Sequence, residues 1–571
     1  MITLEQKIKA KIPGEDTGIG IKKTICDICA PVHHCGIDAY VRDGRVIKVE
    51  GTPEHPYNKG AICTKGQCSR EYIYREDRIR TPMKRVGPKG EKNNLVPITW
   101  KEAYEIIGER MNAIKEKYGP HSCAFFSGYA KWYRPIFHRW VYDYGSVNFG
   151  TDDSVCNNSG VMACRCTVGI PFKPDMAHAN TFLGWAYAGF YSAHASVAGV
   201  KALKERGGKV IIVDPKITPA VKQLADIHLQ LKTGTDGALA LGMAKLIIDN
   251  GWTDREFIRN YTYGYEAFKE YVDQWDLEKV SGITGIPGHL IYEATKLYAT
   301  NGPACINESC STVAHHINGF QNYRAIAMLN ALTGNFDRAG GALPMEDSYN
   351  LRAAGFQTRE HEFSCANKPD YPHIGAGKFP LWDELVDEFQ SCDMARQIIE
   401  GTPYPVRSLF TLGFNMKMLP GTQQVIEALK ALDFYVDVDL FMTPATQYAD
   451  IVLPTCSSFE RSEFKVYPGG WAMMTKPFIK PLYESKSDVQ ILLELMPYLG
   501  IHDELLEKGY NACIEWIIEG SGLSMDELLA SDTPIKVPAA KPYVPGTYLK
   551  RGFDTPLRDR TSKTGSAPLS S

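Results

Sequence analysis

Four cysteines near the start of the chain are spaced to hold a soft metal centre: Cys26-x2-Cys29-x5-Cys35-x27-Cys63. Three thiolates fall in one short loop and the fourth arrives later, a donor set that suits either zinc or an iron–sulfur cluster. Zinc ribbons pair two C-x2-C knuckles. Cys63 has no such partner, because the nearest cysteine, Cys68, lies beyond four intervening residues. The three-plus-one arrangement therefore favours a 4Fe–4S cluster. His33, at x3 from Cys29, competes with Cys35 for the third place. Cys35 is preferred, since thiolate is the commoner ligand and its spacing to Cys63 suits a hairpin. That hairpin is residues 39–50, apolar-rich on both sides of Asp43-Gly44, a tight-turn signal. Its two strands carry the chain out and back, returning Cys63 to the first three thiols.

The rest of the chain must position this centre and whatever it serves. At roughly 150 residues per domain, 571 residues predict about four domains. The 44% hydrophobic and 23% charged composition is that of an ordinary globular protein. Sixty-three basic against 66 acidic residues leave a net charge of −3, so no global field draws the chain to nucleic acid or an anionic membrane. No apolar run approaches the roughly 20 residues of a membrane span. Residues 1–21 carry neither an apolar h-region nor an arginine pair, which reads as a cytoplasmic chain. Fifteen cysteines cannot pair completely, and a disulfide framework belongs to small secreted domains. Most cysteines outside the cluster loop read as buried small hydrophobes.

Behind the cysteine segment, Thr99-Trp-Lys-Glu102 predicts a capping box, followed by apolar residues at helical spacing to Ile114. Strand and helix then alternate. Val210 to Asp214 is a continuous apolar run ending on an acid, as a buried parallel strand does, and residues 234–236 open a helix through Ile248. Short apolar strands recur at 408–413, 434–439 and 451–454, with a helix over 422–431. The fold class is α/β: a small cysteine-rich β domain followed by two doubly wound α/β domains. Such folds bind ligands at strand C-terminal ends, here near 184, 214, 413 and 439. Residues 550–571 are polar, lack apolar periodicity and predict a disordered tail.

The cysteine loop, with Asp43-Gly44 to Glu50, Gly51-Thr-Pro-Glu-His-Pro-Tyr-Asn58 and Cys63-Thr-Lys65-Gly66, resembles the opening of molybdopterin oxidoreductases of the dimethyl sulfoxide reductase superfamily. The likeness continues at Val213-Asp214-Pro215, Gly234-Thr235-Asp236, Leu332-Thr-Gly334-Asn335, Gly340-Gly341 and Tyr448 to Pro454, covering roughly residues 24–556. It implies a 4Fe–4S cluster held by Cys26, Cys29, Cys35 and Cys63. It also implies molybdenum or tungsten held by two pterin guanine dinucleotides, with Lys65 between cluster and pterin. One dinucleotide would use Gly184, Asp214, Thr218, Gly234 and Asp236, and the other Gly413, Asn415 and Asp439. Asp214, at a strand end, can accept hydrogen bonds from a guanine edge or a ribose hydroxyl. No GxGxxG fingerprint is present, which disfavours a nicotinamide enzyme.

Cys156, within Gly145 to Gly160, falls where the family places its metal ligand, at a helix head that stabilises a thiolate. A cysteine ligand resembles the nitrate, polysulfide or thiosulfate reductase and formate dehydrogenase branches. Formate dehydrogenases usually follow the ligand with histidine, whereas Asn157 stands here. The non-redox acetylene hydratase also has a cysteine ligand, with its acid after the second cluster cysteine, where this chain has Ala30. Asp27, Asp152 and Asp153 are alternative acids. The family's first dinucleotide loop carries asparagine two places after its glycine; this chain reads Gly184-Trp185-Ala186.

The resemblance divides the chain into a cluster domain (20–85), a discontinuous pterin-binding domain (86–151 and 331–500), an inserted pterin-binding domain (152–330) and a C-terminal extension (501–571). The family's C-terminal barrel over the dinucleotides is expected to be missing, which leaves a cofactor-poor fragment as an alternative. The expected role is a catalytic subunit acting on a small molecule and passing electrons to an iron–sulfur partner subunit. The hydratase-like lyase is its rival.

Overall fold

The computed structural model describes residues 3–29, 34–128, 132–309, 313–345, 359–467, 469–552 and 567–568. The chain packs as two compact units, one made of 1–155 and 347–541, the other of 156–346 and 542–571.

In the first unit, five short apolar segments form parallel strands: Cys123–Ser127, Phe149–Thr151, Ser408–Leu412, Phe434–Asp439 and Ile451–Pro454. All but Asp439 are buried, as a sheet covered on both faces requires. Two antiparallel strands, Met83–Arg85 and Leu95–Pro97, extend one edge. Counted along the chain, the parallel strands lie in the order 2-1-3-4-5, so the direction of winding reverses between Cys123–Ser127 and Ser408–Leu412. In such sheets the crevice beyond that reversal is where ligands sit. The backbone is tight there: Gly128 N–H donates to Leu412 O at 2.7 Å, and a Cβ on Gly128 would come within 2.1 Å of Gly413 O.

The helix Trp100–Tyr118 begins at Thr99, whose hydroxyl accepts from Glu102 N–H at 3.1 Å. Only this half of the expected capping box forms, because the Glu102 carboxylate turns to Lys84 Nζ at 2.6 Å. The cysteine-rich segment contains the expected hairpin, Gly36–Arg42 with Arg45–Gly51, turning through Asp43 and Gly44 at φ +52° and +71°. A third strand, Gly20–Ile25, pairs with it. Residues 501–541, expected within the C-terminal extension, supply Ile514, Ile517, Leu528 and Val537 to the main core of this unit.

The second unit holds an all-parallel sheet in the spatial order Ile227–Leu229, Lys209–Val213, Thr181–Trp185, Ala304–Glu308. Its winding reverses between Thr181–Trp185 and Ala304–Glu308. The helices His194–Glu205, Asp236–Asp249, Gly288–Thr300 and Gly319–Leu332 complete the α/β pattern. Tyr548 is fully buried in this unit's core, and Tyr543 Oη donates to Asp337 Oδ1 at 2.7 Å. Apart from 567–568, the tail beyond 552 lies outside the described residues. Among the described residues no helix is long and apolar enough to cross a membrane.

Candidate functional site

The cluster cysteines sit where strand ends and a helix start bring them together. Cys26 follows the strand Gly20–Ile25, and its N–H donates to Cys35 O at 2.9 Å, immediately before the strand Gly36–Arg42. Cys63 caps the short helix Thr64–Gln67. Gly66 in that helix lies against Cys26: a Cβ there would stand 3.7 Å from Cys26 Sγ and clash with Ile62 at 2.6 Å. Burial, then the Cys29 and Cys63 thiols, push Cys35 up to about 12, while Lys65 pulls the other way. Burial likewise pushes Cys26 up to about 12, with Asp27 and Cys29 adding to it. Cys26, Cys29, Cys35 and Cys63 are free thiols, an all-sulfur donor set whose chemistry fits an iron–sulfur cluster. Lys65 is exposed and directs Nζ at Cys29 Sγ, 3.5 Å away. His33, the competitor of Cys35, lies outside the described residues.

Behind this loop lies a network that no sequence pattern announced. Arg461 is buried and reaches Asp27 at 3.1 Å and Glu463 at 2.8 Å, and Lys465 meets Glu463 at 3.1 Å. Tyr72 Oη donates to Asp27 Oδ1 at 3.3 Å. Burial and Glu463 raise the Asp27 carboxyl, and Arg461 opposes them. The only available signal was the charged run Glu460 to Lys465 beside an apolar strand. The other alternative acids are also paired: Arg134 holds Asp152 at 2.7 Å and Asp153 at 3.1 Å.

Cys156 is half-buried, two residues ahead of the helix Asn158–Val168. A helix N-terminus carries positive partial charge and favours the thiolate there. Cys164, inside the helix, is buried and its thiol is pushed well up by burial, the state of a packing residue.

The second unit collects its five expected residues at the C-terminal end of its sheet. Gly184 is the next-to-last residue of its strand, where a Cβ would meet Phe182, Ile212 and Tyr187 at 2.8–2.9 Å. Asp214 Oδ1 accepts from Lys216 N–H at 2.8 Å. Thr218 caps the helix Pro219–Leu224, its hydroxyl accepting from Val221 N–H at 3.3 Å. Gly234 has φ +85°, and Asp236 begins the helix Asp236–Asp249. Trp185, which sequence reasoning recorded only as a departure, ties two of these loops: its indole N–H donates to Asp236 Oδ1 at 2.8 Å. Ala186 stands at φ +53°, a left-handed conformation that asparagine tolerates better than alanine. Here alanine carries that strain.

In the first unit Gly413, at φ +70°, has open space round its missing side chain. Asn415 Oδ1 accepts from Lys417 N–H at 3.2 Å. Asp439 Oδ1 accepts from Leu440 and Phe441 N–H at 2.6 and 3.2 Å. Burial nevertheless lifts the Asp439 carboxyl to about 6. These strand-end glycines and carboxyls beside two winding reversals fit dinucleotides. His178 is exposed and pairs with Asp175 at 2.8 Å.

The family model described as Molybdopterin oxidoreductase matches residues 78–498, and that described as Molybdopterin oxidoreductase Fe4S4 domain matches residues 20–75. The chain belongs to the molybdopterin oxidoreductase family. Its cofactors are a 4Fe–4S cluster and a molybdenum or tungsten molybdopterin, and it is an enzyme of the dimethyl sulfoxide reductase superfamily. It is 31% identical to "Probable oxidoreductase YoaE" of Bacillus subtilis, over 88% of this chain and 72% of that one. It is 30% identical to the "F420-dependent formate dehydrogenase 2 subunit alpha" of Methanococcus maripaludis, over 78% and 65%. Among solved structures it is similar to "Acetylene Hydratase from Pelobacter acetylenicus", with TM-score 0.81, 25% identity, and coverage of 96% and 77%.

Proposed function

We propose that the enzyme is the catalytic subunit of a bis-pterin molybdenum or tungsten oxidoreductase, acting on a small substrate and exchanging electrons with an iron–sulfur partner subunit. The observation that carries this reading is the Lys65 ammonium on a thiol of the cluster loop, 3.5 Å from Cys29 Sγ. A cation there favours the reduced state of a neighbouring centre by Coulomb attraction, which serves electron transfer through a cluster. When bound, the metal would supply two-electron chemistry, often with oxygen-atom transfer, and the cluster would pass electrons singly.

The chain's own residues would do the holding. Cys26, Cys29, Cys35 and Cys63 would ligate the cluster, and Cys156 the metal. Gly184, Asp214, Thr218, Gly234 and Asp236 would cradle one dinucleotide, and Gly413, Asn415 and Asp439 the other, through strand-end carboxyls and glycine turns. A formate dehydrogenase subunit among the relatives supports a partner subunit. Asn157 in place of histidine argues against formate as substrate.

The likeness to acetylene hydratase favours a second reading, a lyase without net electron transfer. Against it stand Ala30 in the place of that enzyme's acid, and the ion pairs of Asp27, Asp152 and Asp153. Anaerobically purified enzyme should turn over small substrates only with an electron donor or acceptor. Hydration of acetylene at full metal loading with neither present would instead establish the lyase.

A further inference from the structure

The turn that delivers Cys156 is gripped by a single guanidinium. Arg134 is the first residue of the helix Arg134–Tyr144, and residues 152–155 form one tight helical turn that runs directly into Cys156. Arg134 Nη2 donates to Asp152 Oδ1 at 2.7 Å and Nη1 to Asp153 Oδ2 at 3.1 Å. The same Nη2 donates to Gly128 O at 3.0 Å. Gly128 follows the strand Cys123–Ser127 at the winding reversal of the first unit's sheet, hard against the backbone of Gly413. One side chain therefore joins the crevice where a dinucleotide is expected to the turn that ends at the metal ligand.

Residues 388–391 tether the rest of that turn. Thr151 Oγ1 donates to Glu388 Oε2 at 2.5 Å and accepts from Asp153 N–H at 3.0 Å. Ser391 N–H donates to Ser154 Oγ at 2.9 Å, and the Ser391 hydroxyl donates to Thr151 O at 2.7 Å. Val155, the last residue before Cys156, packs on the apolar core that holds Phe389 and Phe414. Each residue from 151 to 155 thus has a fixed partner.

Stability alone does not account for the Arg134 contacts. Buried ion pairs return little net stability, because desolvation offsets their attraction. Here two carboxylates share one guanidinium, Asp152 is 1% exposed, and Arg134 Nε is sealed with no acceptor among the described residues. What the arrangement supplies is direction: a planar fork with fixed donors sets the relative placement of Asp152, Asp153 and Gly128. Burial works against the guanidinium charge, but Asp153 and Asp152 outweigh it and hold the group ionised.

We propose that Arg134 is a positioning residue for the metal ligand: it fixes the 152–155 turn against Gly128 and so sets where the Cys156 sulfur is presented. The inference rests on the reading of Cys156 as that ligand. Ligand atoms must be held to within about 0.5 Å of their productive place by neighbours that are themselves fixed.

The test is X-ray absorption at the molybdenum or tungsten edge of anaerobically purified, metal-loaded enzyme. It compares the wild type with Arg134→Lys, Asp152→Asn/Asp153→Asn, the triple variant that combines them, and Cys156→Ser. Arg134→Lys keeps the positive charge that the buried carboxylates need, so its melting temperature should stay close to the wild type. One ammonium cannot reproduce the fork that reaches both carboxylates and Gly128 O. The expected result in Arg134→Lys is loss of part of the cysteine sulfur scattering, with iron and total molybdenum or tungsten unchanged. Asp152→Asn/Asp153→Asn should show the same loss, and the triple variant no further loss, since both changes break one contact. A metal shell identical in wild type and Arg134→Lys, while Cys156→Ser loses a sulfur, would overturn the positioning role and leave the ligand assignment standing. A shell unchanged in Cys156→Ser as well would remove the ligand assignment itself. Losses that add in the triple variant, or iron and the second metal lost together from Arg134→Lys, would also overturn the proposal, the latter by showing a purely structural role.

Discussion

Replacing Lys65 with glutamine removes a positive charge 3.5 Å from Cys29 Sγ without emptying the space beside it. At that distance two unit charges interact by about 5 kcal/mol at an effective dielectric of 20 and by about 1 kcal/mol in water. Lys65 is exposed, and an added electron spreads over the whole cluster instead of resting on Cys29. The lower figure therefore applies. About 1 kcal/mol corresponds to about 40 mV for a one-electron couple. The reduction potential of the cluster in Lys65→Gln should fall by about 40 mV, read by redox titration with electron paramagnetic resonance of the reduced cluster. Lys65→Arg should stay near the wild type, and iron content should be unchanged in both. High salt should shrink the difference, since the ammonium is open to screening. A Lys65→Gln potential equal to or above that of the wild type would refute the reasoning.

Three further outcomes follow from the same geometry. Ala186→Gly removes a Cβ from a left-handed backbone and should stabilise the fold by about 0.5–1 kcal/mol, measured by denaturant unfolding; a loss of stability would contradict the strain. Arg461→Met leaves Asp27 and Glu463 with less compensation in a buried site and should cost about 3 kcal/mol, seen as a lowered melting temperature. Asp439 has its carboxyl raised to about 6, so the folded state holds that proton more tightly than the unfolded chain. Its contribution is present at acid pH and is lost as pH rises through about 6. Asp439→Asn should flatten that decline in unfolding free energy between about pH 4 and pH 7, and an unchanged slope would show the carboxyl to be unshifted.

Much of this was legible because the informative segments are locally consistent. Ser408–Leu412 and Phe434–Asp439 are short apolar runs that fit only a sheet covered on both faces, and Asp43-Gly44 specifies its hairpin turn. The strand Gly20–Ile25 was not legible, since Lys22 and Lys23 interrupt any alternation and its pairing depends on the hairpin beside it. Arg461, Glu463 and Lys465 look like a solvated charge run until Asp27, remote in sequence, supplies the charge that lets them be buried. The capping box at Thr99 half failed for a similar reason, because Lys84 on a neighbouring strand captured Glu102. Local chemistry was readable; partnerships between distant segments were not.

On the proposed reading, Cys156 ligates the metal of a redox enzyme. X-ray absorption at the molybdenum or tungsten edge of anaerobically purified enzyme tests it most directly, comparing wild type with Cys156→Ser. The expected result is one sulfur scatterer replaced by oxygen in the variant, with iron content unchanged and donor-dependent turnover lost. An unaltered metal coordination shell in Cys156→Ser, with turnover retained, would contradict it.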